Sequence, residues 1–390
     1  MKLQIAFPII AFFVTSAFAE SYRHTQLIFP LQGKHVHGSS LVELPNGDIL
    51  GCWFYGSGER SADDVMIQGA RLKKGAEEWS PVFVMADTPQ FPDCNPTLFL
   101  DRNGKLRLFW ITVRANRWER SILSYRNATD YLNDGPPKWD WQGFILLKPG
   151  GEFVETIKES FRILAPRQGM WGEYAPPYTR LVIEAAEDSV KRQEGWMTRN
   201  HPVTLANGRI ILPLYHDGFN LALCALSDDD GETWFASKPI VGLAGIQPTV
   251  IQKNDGTLAA YLRDSGDPPG RVLISTSADN GETWTPAVDT DIPNPSSSLE
   301  VIKLDNGLWA MVHNDSERNR GTARVALSDD EGQTWKWSRH LGTTEYYAYF
   351  SMLQAKDGLI HISYSYSPGG DREKSIRHEV INMEWVKEGD

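Results

Sequence analysis

Cysteine is scarce in this chain of 390 residues: Cys52, Cys94 and Cys224 are the whole complement. An odd number excludes a full disulfide framework and leaves room for one bridge, for which Cys52 and Cys94 are the expected pair. None of the three has metal-ligand spacing, so no metal and no other cofactor is expected, and stability has to come from a large core. Fourteen Trp, 16 Phe and 13 Tyr are enough to build one. Long apolar runs are equally rare. The run Ile5–Val14 is too short to span a bilayer, and no later stretch is long enough, so no membrane insertion is expected. Positive charge is in deficit, with 39 Lys and Arg against 50 Asp and Glu. That balance argues against nucleic acid or an anionic membrane as partner. An acidic substrate would need a local basic pocket that overcomes the global field.

The N-terminal run has the marks of an export signal. Lys2 precedes it, and Ala17-Phe18-Ala19 before Glu20 fits a small-x-small cleavage site. Residues 1–19 are therefore read as a signal peptide, and residues 20–390 as one secreted or periplasmic domain.

What the chain has in abundance is repetition. Ser-x-Asp-x-Gly-x-Thr-Trp occurs at Ser227–Trp234, Ser277–Trp284 and Ser328–Trp335, spaced 50 and 51 residues apart. In such a turn the Ser and Asp side chains can bond the local backbone, and Gly takes a positive φ that other residues resist. The Trp then serves as an apolar wedge between neighbouring sheets. The role of these Asp residues is structural. A second series of turns ends in Gly47, Gly104, Gly208, Gly256, Gly307 and Gly358, each followed by apolar alternation. The intervals are 57, 104, 48, 51 and 51 residues. Six turns predict an all-β, six-bladed β-propeller with about four strands per blade. The long interval holds either a seventh blade or an insertion. Loss of alternation over about 136–194, with Pro136-Pro137, Gly150-Gly151 and Pro176-Pro177, favours an inserted loop and helix segment, with a helix over Thr179–Gln193. A segment of this kind is a lid, a binding wall or a surface elaboration.

With these boxes the chain resembles the sialidase (neuraminidase) superfamily of propellers, and bacterial predicted neuraminidases in particular, from His35-Val36-His37-Gly38 to the last strand near Arg377. The resemblance implies release of an acidic, sialic acid-like sugar from a glycan by hydrolysis. Members hold the substrate carboxylate with three arginines, attack with a tyrosine assisted by a glutamate, and protonate with an aspartic acid. Carried over by position, Arg263 in Ala259-Ala260-Tyr261-Leu262-Arg263 is the second arginine. Tyr349 in Ala348-Tyr349-Phe350-Ser351 is the nucleophile, and the third arginine falls among Arg318, Arg320 and Arg324, with Arg320 taken. The chain departs from the pattern at three places. His35-Val36-His37-Gly38 stands where the first arginine is expected, and Gln247 stands where the glutamate should be. The proton donor has Glu59, Asp63 and Asp64 as candidates.

Read without the family, other residues form a second set. His37 opens an inner strand. Glu59 and Arg60 lie on a Gly-rich loop after Trp53-Phe54-Tyr55. Arg199-Asn200-His201 and Tyr215-His216-Asp217 flank the next inner strand. His37 or His201 as base with a tyrosine as acid would serve β-elimination of a uronic acid-containing polysaccharide. A glycan-binding propeller without catalysis is the third possibility. Arg114, Arg117 and Arg120 with Trp118 would wall an acidic sugar site or end an exposed strand. Asp93 and Asn95 would face the pocket or cap a turn, and Asn127-Ala128-Thr129 matches a glycosylation sequon.

Overall fold

A computed structural model describes residues 20–166, 172–174, 178–369 and 372–390. The signal-peptide reading of residues 1–19 lies outside the described residues. Six antiparallel sheets surround one axis, which makes the chain an all-β, six-bladed propeller. Within each of the first five blades the chain runs from the axis outward. The innermost strands are His35–Glu43, Asp93–Leu100, Gly245–Gln252, Glu300–Lys303 and Tyr346–Gln354, with the third blade using two short pieces, Met197–Thr198 and Val203–Thr204. The sixth blade takes its outermost strand from the start of the chain: Arg23–Leu27 pairs with Ser375–Ile381, Arg23 opposite Ile381 and Leu27 opposite Arg377. Glu379 fixes this closure, accepting from Tyr364 at 2.7 Å and pairing with Arg23 at 3.0 Å.

All six predicted glycine turns join an innermost strand to the second strand of its blade. Their φ values lie between 76° and 92°, a region that only glycine enters freely. The three Asp boxes form the connection from third to fourth strand in blades three, four and five, at the same end of each sheet. In the first box the Ser227 hydroxyl accepts from Gly231 N at 2.8 Å, and Asp229 accepts from Thr233 N at 2.9 Å. Trp234 meets Phe109 of the preceding blade edge-on with ring centroids 5.9 Å apart, and Trp335 meets Tyr261 at 6.3 Å. The boxes therefore stitch blades together as well as turning the chain.

The long glycine interval contains two helices and no seventh blade. Helix α1 covers Gly151–Leu164 and helix α2 covers Tyr178–Glu187. Only the second was expected, and it ends six residues sooner than predicted. The glycine pair was read as a breaker, yet Gly151 starts α1, whose apolar Phe153, Val154, Ile157 and Phe161 follow the helical period. These side chains pack on the third blade, with Phe153 5.4 Å from Phe219. Cys52, Cys94 and Cys224 are all buried as free thiols, so the expected Cys52–Cys94 bridge does not form. Each sits in an inner or central strand, where burial pushes its thiol upward and keeps it protonated. No helix among the described residues is long and apolar enough to cross a membrane.

Candidate functional site

The residue nine positions before each turn glycine has a special place. In four blades it is Gly38, Asn95, Gln247 and Tyr349, and each has a positive φ: 65°, 50°, 52° and 58°. At each the ladder register slips, between His37 and Ser40, Cys94 and Thr97, Ile246 and Thr249, and Ala348 and Ser351. Such a bulge turns one side chain out of the sheet, here toward the axis. For a residue other than glycine it costs about 1–2 kcal/mol. Polar contacts offset that cost. Asn95 donates to the Tyr215 hydroxyl at 2.9 Å, and Gln247 Nε2 donates to the Tyr349 hydroxyl at 3.3 Å. Gly38 has no alternative, since a Cβ there would stand 2.9 Å from the Phe54 ring.

The bulged strands frame a cavity of about 590 Å³ at the end of the axis opposite the glycine turns. Tyr349 is its centre. Arg263 Nη1 donates to the Tyr349 hydroxyl at 2.9 Å and to Gln247 Oε1 at 3.2 Å. Ser296 accepts from the other side of the same guanidinium at 2.9 Å, which fixes its orientation. Arg320 is held by Tyr346 at 3.0 Å and by the Ser296 carbonyl at 2.5 Å. The guanidinium carbons of Arg199, Arg320 and Arg263 lie 5.0, 5.3 and 6.0 Å from the Tyr349 ring centre. Burial alone would raise the Tyr349 hydroxyl, but the charges of Arg263 and Arg320 outweigh it and hold it below its ordinary value. The His37 ring packs on the same tyrosine, centroids 4.0 Å apart. Burial, then the charges of His35, Arg320, Arg199 and Lys374, keep His37 well below the usual histidine range and so neutral.

Two carboxylates line the cavity among the described residues, and they differ. Glu59 Oε1 lies 3.1 Å from His35 Nε2. Burial opposes its charge, but His35, Arg320 and Arg60 prevail and hold it below the usual carboxylate range. Asp217 follows the second strand of the third blade. Burial pushes it up to about 6, with Arg263 pulling the other way and Glu173 reinforcing.

The structure thus brings together Tyr349, Arg263, Arg320, Gln247, His37 and Glu59 from the sequence set. Of the three arginines before the last Asp box, Arg320 alone lines the cavity, while Arg324 pairs with Asp315 at 2.6 Å. Arg199 lies beneath the floor, donating to the Ser39 carbonyl at 3.0 Å and the Phe350 carbonyl at 2.8 Å, and supports Tyr349 from below. Arg60 stays behind the wall, 5.4 Å from the centre of the Trp118 ring, and it is Trp118 that faces the cavity. Asp63 is turned away and accepts from Asn116 at 3.2 Å, and Asp64 binds Ser57 and Lys34 in solvent. His216 is fully buried among Tyr174, Trp196 and Phe219, its Nδ1 accepting from Gly218 N at 2.9 Å.

His201 is also outside the cavity. It forms a core pair on the axis, Nδ1 2.6 Å from Glu300 and Nε2 2.8 Å from the Leu41 carbonyl and 3.0 Å from Ser40 Oγ. The grouping has the order of a Ser-His-acid triad, but both ring nitrogens face acceptors, so the imidazole is a donor on each side and cannot take the serine proton. Burial lowers the His201 value and Glu300 more than restores it, raising it overall. No described residue of the segment 136–194 lines the cavity; Glu173 backs its wall through Arg60 and Arg117, at 4.0 and 3.8 Å. Asp93 is buried under Trp110 and Thr112, and Asn127 sits within a strand and accepts from Arg107 at 3.2 Å. Sequence reasoning named Tyr215 and Asp217 only beside His216, with no role of their own, and missed Tyr346 as a cavity residue.

Comparison with known proteins adds family and fold. The profile of the BNR repeat-like domain matches residues 47–166 and 193–362. A sialidase of Micromonospora viridifaciens is 27% identical over 179 residues, 42% of this chain and 26% of that protein, so the chain aligns with only about a quarter of that relative. A protein of unknown function from Dyadobacter fermentans superposes with a TM-score of 0.65 at 17% identity, covering 92% of this chain and 97% of the other. An intramolecular trans-sialidase of Ruminococcus gnavus, in complex with oseltamivir carboxylate, superposes at 0.66 with 13% identity, covering 91% and 96%. At these identities the structures establish the shared fold.

Proposed function

The chain belongs to the BNR repeat-like domain family of sialidase-superfamily propellers, and from that premise we propose that it is a secreted glycoside hydrolase of the sialidase type, releasing an acidic, sialic acid-like sugar from a glycan. The observation that carries the reading is the Tyr349 hydroxyl held 2.9 Å from Arg263, with Arg320 on the other side of the ring. Two guanidiniums at the base of one cavity favour a carboxylate-bearing sugar, because a planar fork grips a carboxylate with two charge-assisted bonds. They also overcome the acidic surface at the point where it matters. Tyr349 then faces the anomeric centre as nucleophile. A neutral hydroxyl can approach an anionic sugar without the repulsion that a carboxylate nucleophile would meet. Gln247 cannot take its proton; the arginine charges lower the cost of losing it instead. Export rests on the N-terminal sequence.

Gln247 is also the observation that favours a second reading, β-elimination from a uronate, since a tyrosine without a carboxylate beside it resembles a base as much as a nucleophile. His201 is removed from that scheme by its pairing with Glu300, and His37 is a weak base because burial, and then its cationic neighbours, oppose protonation. Mass spectrometry of sialylated and uronate-containing glycans after incubation with the purified protein decides the matter. Products that sum to substrate plus one water are expected. Products summing to the substrate mass, one of them an unsaturated uronate, would establish elimination, and no product from any glycan would leave a binding protein.

A further inference from the structure

A leaving alkoxide needs a proton, and the sequence placed its donor in the loop of Glu59 and Asp63. Asp63 is outside the cavity, and Glu59 is engaged by His35 at 3.1 Å as an ionised partner. We propose that Asp217 is the catalytic acid of this site, protonating the glycosidic oxygen as the bond to the anomeric carbon breaks. The inference rests on the hydrolase reading above.

The geometry comes first. Asp217 lines the same cavity as Tyr349 and Arg263, on the third blade, two blades away from the Glu59 loop. Its carboxylate makes no hydrogen bond or ion pair among the described residues, so it is available to a substrate oxygen. Its backbone is fixed on both sides. The Asp217 carbonyl accepts from Glu173 N at 3.2 Å, and the next two amides, of Gly218 and Phe219, turn back to His216 Nδ1 at 2.9 and 3.4 Å. A buried imidazole that otherwise serves no purpose in the cavity thus shapes the turn that presents Asp217. Arg263, the group assigned to the substrate carboxylate, lines the same cavity and with Arg60 opposes the effect of burial on this carboxyl.

The proton balance follows. Protonated Asp217 gives its proton to the leaving oxygen while Tyr349 bonds the anomeric carbon and releases its own proton to cavity water, which returns one to the tyrosinate when the sugar is later displaced. The resulting carboxylate then takes a proton from the water that cleaves the tyrosyl-sugar bond, restoring both groups. The elevation to about 6 keeps a useful protonated fraction near neutral pH, whereas Glu59 is almost wholly ionised there.

The test uses leaving-group quality. The wild-type protein, Asp217→Asn and Glu59→Gln are assayed on 3′-sialyllactose and on the 4-methylumbelliferyl sialoside, whose phenol departs without help. Asp217→Asn is expected to lose roughly 10²- to 10⁴-fold on the lactose conjugate and less than about tenfold on the aryl glycoside. Wild-type cleavage of the lactose conjugate is expected to fall as pH rises through about 6, and its cleavage of the aryl substrate is not. Equal losses on both substrates, or the selective loss appearing in Glu59→Gln instead, would overturn the assignment while leaving the hydrolase reading intact. A wild-type protein inert on both sialosides would overturn the two together.

Discussion

The two ends of each blade obey different rules. At the end carrying the glycine hairpins and the Asp boxes, each box repeats the same local solution: Ser and Asp side chains satisfy the backbone and glycine takes the positive φ, and in the first and third the Trp ring meets the preceding blade. At the other end no two blades agree. The equivalent inner-strand positions carry Gly38, Asn95, Arg199, Gln247, Ser298 and Tyr349. Four of them are bulged, three of those at a conformational cost that glycine would avoid. Regularity at one end holds the ring together, and irregularity at the other turns the different side chains of Asn95, Gln247 and Tyr349 toward one common focus. What is repeated is scaffold, and what is varied is chemistry.

That contrast can be broken by substitution, and the largest effect should come from the varied end. Tyr349→Phe is expected to lower glycan cleavage on the order of 10³-fold or more, as removal of a group acting in the transition state does. Its urea midpoint should stay at the wild-type value, because only a hydroxyl leaves a water-facing cavity. A variant that lost stability instead would make Tyr349 a packing residue.

The axial pair between the two ends should show an intermediate effect on stability alone. Glu300→Ala leaves His201 without its partner and should cost about 3 kcal/mol in chemical denaturation. His201 is raised above 6.5 in the folded chain, so its contribution is complete below pH 6.5 and is lost as pH rises through the elevated value. Wild type should therefore lose stability on the alkaline side, and His201→Gln should lack that component of the slope.

The smallest effect should come from the repeated end, and it should be purely structural. Gly231→Ala forces a Cβ to within 2.8 Å of the Arg107 guanidinium at a φ of 80°. Arg107 is buried, pairs with Asp101 at 3.1 Å and donates to the carbonyls of Asp230 and Gly231, tying the second blade to the first Asp box. A loss of about 2 kcal/mol in urea unfolding is expected, with cleavage per folded molecule unchanged.

The same contrast explains what was legible. The Asp boxes and glycine turns are written in eight or fewer consecutive residues, so six blades could be read from them, while the long interval between Gly104 and Gly208 left a seventh open. Tyr349, Arg263 and Gln247 could be placed because the family resemblance carries over at positions fixed relative to a turn. Asp217 and Tyr215 were located beside an inner strand but given no role, because their meaning depends on which strand from another blade lies opposite. His201 misled for the same reason: two residues from Arg199, it points toward Glu300, 99 positions away in sequence, and not into the cavity. The α1 helix was missed because Gly150-Gly151 outweighed a helical apolar period, and tertiary packing on Phe219 reverses that local preference.

The strand Arg23–Leu27, which completes the sixth blade, has a consequence for how the ring is assembled. It waits for partners about 350 residues downstream, so the last sheet cannot be finished until the rest of the chain has been laid down. The two ends are meanwhile neighbours: the amide of Tyr22 donates to the Asn382 side chain at 3.0 Å, and Asn382 donates to the Glu20 carbonyl at 2.7 Å. A circular permutant that joins these ends with a short linker and opens the chain in the connection just after Leu27 would convert the most distant pairing in the molecule into a local one. The slowest loop to close would become among the fastest, with the finished architecture unchanged.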